Sequence, residues 1–301
     1  MPDFGIFRGF GSKLFSDKLY AGQFPTQLGT IGSINFTPFL LDLYPSAAAA
    51  YSLRKLETSY TGSAIRVRID TTGQPEYNIG FVNNELDVAT LQGYCTGHLN
   101  AFVTTWYDQS GNGRNATQST AANQPQIVDS GSVILENTKP TISWLFGLSG
   151  LDFTTFSASS VTMFMVIKAK NDPPLTQQDS GFVTFGTSAS LNHYPFIDSN
   201  IYEGSFSTVR HTIGNPTTSL AQLNLYNVLS KSGNYTSYLN GTQIFNTSTN
   251  AVGINSNPKI GSKSATAGMN SFLSELIIYP SDESSNRTGI QININSYYAL
   301  Y

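Results

Sequence analysis

Few residues in this chain have the type and spacing to do chemistry, and what they exclude is as useful as what they allow. The three histidines, His98, His193 and His211, do not pair at metal-ligand spacing. Asp108-Gln109-Ser110-Gly111-Asn112-Gly113 places oxygen-bearing side chains at alternating positions, faintly like a calcium loop. The twelfth position from Asp108 is Ser119, where such a loop needs a glutamate, so the expected role of Asp108 is to accept backbone N–H groups of a Gly-rich turn. The single cysteine, Cys95, has no partner for an intrachain disulfide and reads as a small buried apolar group. What remains is aromatic: His193, Tyr194, Phe196 and Tyr202, with Glu203 beside them. Sugars are held by aromatic faces and a few polar side chains in a shallow cleft, and the same residues also suit plain sheet packing; both readings stand.

Those residues must be positioned by strands. Ile65, Val67 and Ile69 alternate with Arg66 and Arg68, which predicts a half-buried strand with its arginines on the wet face. Phe102–Tyr107 reads as another strand. Val161–Ile167 is a continuous apolar run, expected to be buried on both faces, and 181–185, 226–230, 259–261 and 272–279 read as further strands. Thr236–Phe245 is a hairpin, because Asn240-Gly241 accepts positive φ at both turn positions. Helices are expected at 47–56, opened by Pro45 and capped by Ser46, at 87–93, and at 281–296. Many short strands with regular turn signals and no internal repeat indicate an all-β sandwich.

Two segments carry a more specific signal. Ala49-Ala50-Tyr51-Ser52-Leu53-Arg54-Lys55-Leu56 and Trp106-Tyr107-Asp108-Gln109-Ser110-Gly111-Asn112-Gly113 resemble the first half of the catalytic domain of family 54 α-L-arabinofuranosidases. The resemblance implies a concanavalin A/laminin-G-like antiparallel β-sandwich, or jelly roll, with a few short helices. It also implies a retaining mechanism with a carboxylate nucleophile and a carboxyl acid roughly 5 Å apart. The family's nucleophile is a glutamate two residues before a glycine; here Asn200-Ile201-Tyr202-Glu203-Gly204 puts Tyr202 there and Glu203 one place late. A one-residue shift in a strand sends a side chain to the opposite face. The family's acid follows an Ile-Gly segment, and Ile260-Gly261-Ser262-Lys263 puts Lys263 there. With both carboxylates replaced, the expectation is a chain without catalytic residues, which does not hydrolyse aryl α-L-arabinofuranosides. Its sugar-binding residues would be His193, Tyr194, Phe196, Tyr202, Glu203 and Lys263.

Composition limits the partners. Of 301 residues, 40% are hydrophobic and only 12% charged, so the polar surface must come from Ser, Thr, Asn, Gln and Gly. The net charge of −3, without a basic stripe, argues against a nucleic-acid partner. No run is long and apolar enough to span a membrane, and the first residues lack the pattern of a secretory signal. No metal or cofactor is assigned. Residues 1–33 interleave Phe4, Phe7, Phe10 and Phe15 with glycines and basic residues and hold no helix or strand period. They are expected to be a docking arm ahead of a sandwich at 34–301. The family's module also occurs in bacteriophage virion proteins. The leading expectation is therefore a virion fibre, spike or decoration subunit, assembled in the host cytoplasm. Its arm would dock on other virion subunits, its sandwich would meet a host-surface glycan, and the chain would be a homotrimer. The alternatives are a glycoside hydrolase of the arabinofuranosidase type and a purely structural capsid or tail component.

Overall fold

The structure, a computed structural model, describes residues 38–144, 150–261 and 268–301. Phe4, Phe7, Phe10, Phe15 and Lys263 lie outside the described residues, so the expectations placed on them do too. Three α-helices are present among the described residues, α1 Leu40–Leu43, α2 Val88–Tyr94 and α3 Arg287–Tyr298, with single 3-10 turns at Ala121–Asn123 and Gln177–Asp179. The rest is antiparallel sheet and turns.

One long ladder of hydrogen-bonded strands makes both layers of the sandwich. Its path runs Thr242–Thr247, Asn234–Leu239, Asn224–Lys231, Ser160–Ala169, Ser271–Tyr279, Ile142–Ser143, Gln126–Asp129, Ala101–Trp106, Ala116–Thr117, Leu151–Asp152 and Lys259–Ile260, with Ile65–Ile69 and Glu76–Ile79 added beside Ala101–Trp106. Val161, Met163 and Met165 from one layer meet Ile65, Val67 and Val103 from the other. The opposite faces of the same central strands are apolar as well. Phe164, Val166, Leu225 and Ile277 form a second core with Leu40 and Leu41 of α1 and with Ile290, Ile294 and Tyr298 of α3. This second core is why 161–167 is apolar without alternation: odd and even residues face different cores, and both are covered.

The expected strands at 65–69, 226–230 and 272–279, the hairpin at Asn240-Gly241 and the burial of Cys95 are all observed. Three expectations are corrected. Residues 47–56 are not a helix: Ala49–Ser52 is a strand paired with Ser271–Tyr279, Ala49 opposite Ile278. Ser46 has φ +71°, whereas a helix N-cap is extended. Helix propensity loses here because Ala49 and Tyr51 fill one core and Ala47 and Ala50 the other. Residues 181–185 make only isolated bridges, Gly181 to His193 and Met269 and Thr184 to Lys259. The closing helix starts six residues later than expected, at Arg287.

The two segments that carry the family resemblance are clasped together. The Asp108 carboxylate accepts hydrogen bonds from the Ala50 and Ser110 N–H groups at 2.9 Å and from Arg114 N–H at 2.9 Å. Gln109 accepts from Leu56 N–H and donates from Nε2 to the Ser52 and Arg54 carbonyls. These residues hold the sandwich rather than a ligand.

Candidate saccharide site

The sequence-predicted residues fall around the small hairpin Ile201–Glu203 and His211–Gly214, in which Tyr202 is opposite Thr212 and Glu203 opposite His211. Strand alternation divides them. Ile201 and Glu203 are fully buried, while Tyr202 points outward. The Tyr202 hydroxyl donates to the Asp198 carboxylate at 2.7 Å. The Arg210 guanidinium lies over its ring, 4.7 Å from the centroid, and the Phe196 ring meets it edge-on at 5.8 Å. Arg210 is itself held by the Leu191 carbonyl at 2.8 Å. Asp198 and Arg210 were not among the expected residues. Asp198-Ser199-Asn200 is an Asx turn, with Asn200 N–H donating to Asp198 at 3.0 Å, and that spacing was the available signal. Burial pushes the Asp198 carboxyl slightly up, but the hydrogen bonds from Asn200 and Tyr202 outweigh it and hold the group below the usual carboxylate range. The bond to Asp198 in turn raises Tyr202.

The other expected residues stand behind this platform or away from it. His193 is buried beneath Phe196, their rings 4.6 Å apart. Its Nδ1 lies 3.1 Å from the Ser180 carbonyl oxygen, which can only accept, so this nitrogen carries the proton. Burial pushes His193 down to about 4, leaving it neutral near pH 7. Tyr194 is not a sugar-facing residue: it is core, stacked on Phe182 at 5.2 Å and edge-on to Tyr226 at 5.5 Å. Glu203 is also corrected. Its carboxyl points into the sandwich, accepting from Ser205 N–H at 2.8 Å and bonded to the Tyr235 hydroxyl, and no part of the residue reaches solvent. Burial raises its proton affinity.

The strands around Ala101–Trp106 carry a polar groove of about 340 Å³. Pairing places Arg66, Thr105, Thr117, Asp152 and Lys259 in one row across adjacent strands. The groove is bounded by two carboxylates, Glu76 bonded to Arg66 at 2.7 Å and Asp152 bonded to Lys259 at 3.1 Å. Three strand spacings separate Arg66 from Asp152, roughly 14 Å, and Glu76 lies one strand further. That is far beyond the ~5 Å or ~6.5–9.5 Å of a glycosidase pair, so these carboxylates can accept from sugar hydroxyls but do not form one catalytic couple. Arg66 on the wet face was the legible part of this groove; Asp152 and Thr117 were not, and the expectation for Arg68 is corrected, since it is buried and donates from Nε to Gln124 at 2.7 Å.

No protein-family model and no curated protein matches the chain. Solved structures do. A GH54 α-L-arabinofuranosidase soaked with a cyclic sulfate inhibitor aligns at 15% identity with a TM-score of 0.59. An arabinofuranosidase complexed with arabinofuranosyl-α-1,2-xylobiose aligns at 15% identity and 0.60. A glutamate-to-glutamine variant of the GH54 enzyme soaked with 4-nitrophenyl α-L-arabinofuranoside aligns at 14% and 0.60. Each alignment covers 82% of this chain, and this chain spans 62% of the length of theirs. The expectation of a non-enzyme is corrected on this ground: the proteins that share the architecture are enzymes, and the Lys263 half of the contrary argument lies outside the described residues. The resemblance seen in residues 49–56 and 106–113 is borne out in three dimensions, and the chain has the β-sandwich fold of the GH54 α-L-arabinofuranosidases.

Proposed function

We propose that this chain is a glycoside hydrolase of the arabinofuranosidase type, and that its sugar lies on the Tyr202 platform. The observation that carries this is the platform itself. An outward aromatic ring is flanked by an ionised carboxylate, Asp198, and a fixed guanidinium, Arg210. A sugar ring packs on such aromatic faces, its hydroxyls take up the carboxylate and guanidinium, and the ionised carboxylate stabilises positive charge at an anomeric carbon. The fold likeness supports the reading, since proteins of this architecture include one complexed with arabinofuranosyl-α-1,2-xylobiose. Asp198 is the group placed against the anomeric carbon, because it is at the surface and charged. Glu203, fully buried behind Tyr202 with burial favouring its uncharged form, is given no contact with the sugar.

The test is turnover of a panel of 4-nitrophenyl glycosides that includes the α-L-arabinofuranoside. The expected result is release of 4-nitrophenol from that substrate, lowered about 10²-fold or more in Asp198→Asn. Turnover of none of the panel overturns the reading. Turnover that survives Asp198→Asn but disappears in Glu203→Gln moves the essential carboxyl to Glu203.

A further inference from the structure

A second cleft, of about 430 Å³, sits at the far end of the Ile65–Ile69 and Glu76–Ile79 ladder and shares no residue with the platform or the groove. Its walls are the rings of Tyr60 and Phe81, 6.3 Å apart and edge-to-face. Its rim is the two-residue turn Asn83-Asn84, which joins Phe81–Val82 to Glu85–Leu86 with φ of +52° and +67°. The two amide side chains are exposed and make no hydrogen bond among the described residues. Thr61, Ser63 and Lys55 complete the polar lining, and no carboxylate is present among its described residues. The Tyr60 hydroxyl donates to the Ser63 carbonyl at 2.8 Å, which fixes the ring in place. A side chain at Gly62 would run into that ring, with the nearest approach at 2.5 Å, so glycine there keeps the wall where it is.

From this geometry we infer that the cleft is a separate oligosaccharide-binding site. The volume fits a few sugar units. Free amides that both donate and accept match vicinal hydroxyls, and fixed aromatic rings match the apolar faces of sugars. A strongly anionic ligand would find one ammonium, and a basic peptide would find no carboxylate. Ser63 lies two residues before the Ile65–Ile69 strand that carries Arg66 of the groove. The site concerns binding, not turnover, and does not depend on the hydrolase reading.

The experiment is titration of the ¹⁵N-labelled full chain with xylotetraose, cellotetraose and maltotetraose, each read by amide chemical shifts. At least one should give saturable shifts at 61–63 and 80–84, with a dissociation constant on the order of 1 mM. Asn83→Gly with Asn84→Gly removes both amides while keeping the positive φ that the turn requires. This double variant should bind at least tenfold more weakly and retain its amide spectrum elsewhere. It should also retain wild-type rates on any 4-nitrophenyl glycoside the chain hydrolyses. Absence of saturable shifts with all three sugars overturns the inference, as does affinity unchanged in the double variant or shifts confined to the Tyr202 hairpin. Failure of the hydrolase assay leaves these outcomes intact, so the two readings are separable.

Discussion

At the scale of single residues, the telling pair is Tyr202 and Glu203. They are neighbours in sequence and face opposite ways, one toward Asp198 and Arg210, the other toward Tyr235 in the core. Burial favours the uncharged form of Glu203, so its folded-state pKa is raised above the ordinary value of 4.5. A carboxyl with a raised folded pKa contributes stability that is fully present below its unfolded pKa and is lost as pH rises through the folded one. Wild type should therefore lose stability relative to Glu203→Gln as pH climbs from about 4.5 upward. Urea midpoints of both proteins, taken from pH 4 to 8, check this; parallel curves mean that Glu203 is not held protonated by the fold.

At the scale of elements, the Asp108 turn ties two distant stretches of chain into one structural unit. One carboxylate satisfies the N–H groups of Ala50, Ser110 and Arg114 and takes the Ser110 hydroxyl as well. Removing it strands buried donors, each costing about 1–3 kcal/mol. Asp108→Ala should lower unfolding free energy by roughly 3–5 kcal/mol, and addition of a calcium chelator to wild type should leave the melting temperature where it is. A chelator-sensitive melt would restore the calcium-loop reading of 108–119. The same logic explains why the strand at Ala49–Ser52 exists: its pairing with Ser271–Tyr279 and its clasp by Asp108 outweigh the helix propensity of its alanines.

At the scale of the molecule, the sandwich has two cores that share the same central strands, one between the layers and one under α1 and α3. The core residues named lie within the described residues. We propose that the Phe-rich leading segment serves assembly rather than folding. A chain starting at residue 34 should melt within a few degrees of the full chain, a shift corresponding to less than about 1 kcal/mol. By light scattering at micromolar concentration, the full chain should be a closed oligomer and the shortened one a monomer. A shortened chain that fails to fold assigns the arm to the sandwich core, and a monomeric full chain removes the assembly role.

What the sequence determined by itself was periodicity. Alternation at 65–69, the Asn240-Gly241 turn and the unbroken apolar run at 161–167 specify strands, a hairpin and two-sided burial, because backbone pleat and φ preference are local. The opposite facing of Tyr202 and Glu203 was legible for the same reason. What only the tertiary structure decided was which faces are covered and which residues meet. Whether 47–56 is helix or strand depended on a partner more than two hundred residues away. Tyr194 and His193 are buried because Phe182, Tyr226 and Ser180 cover them, and none of these is named by the spacing of the aromatic loop. Arg210 over Tyr202 and Tyr60 against Phe81 meet only when loops and turns fold, and Arg66 and Asp152 share one row only through strand pairing, none of which leaves a period in the chain to read.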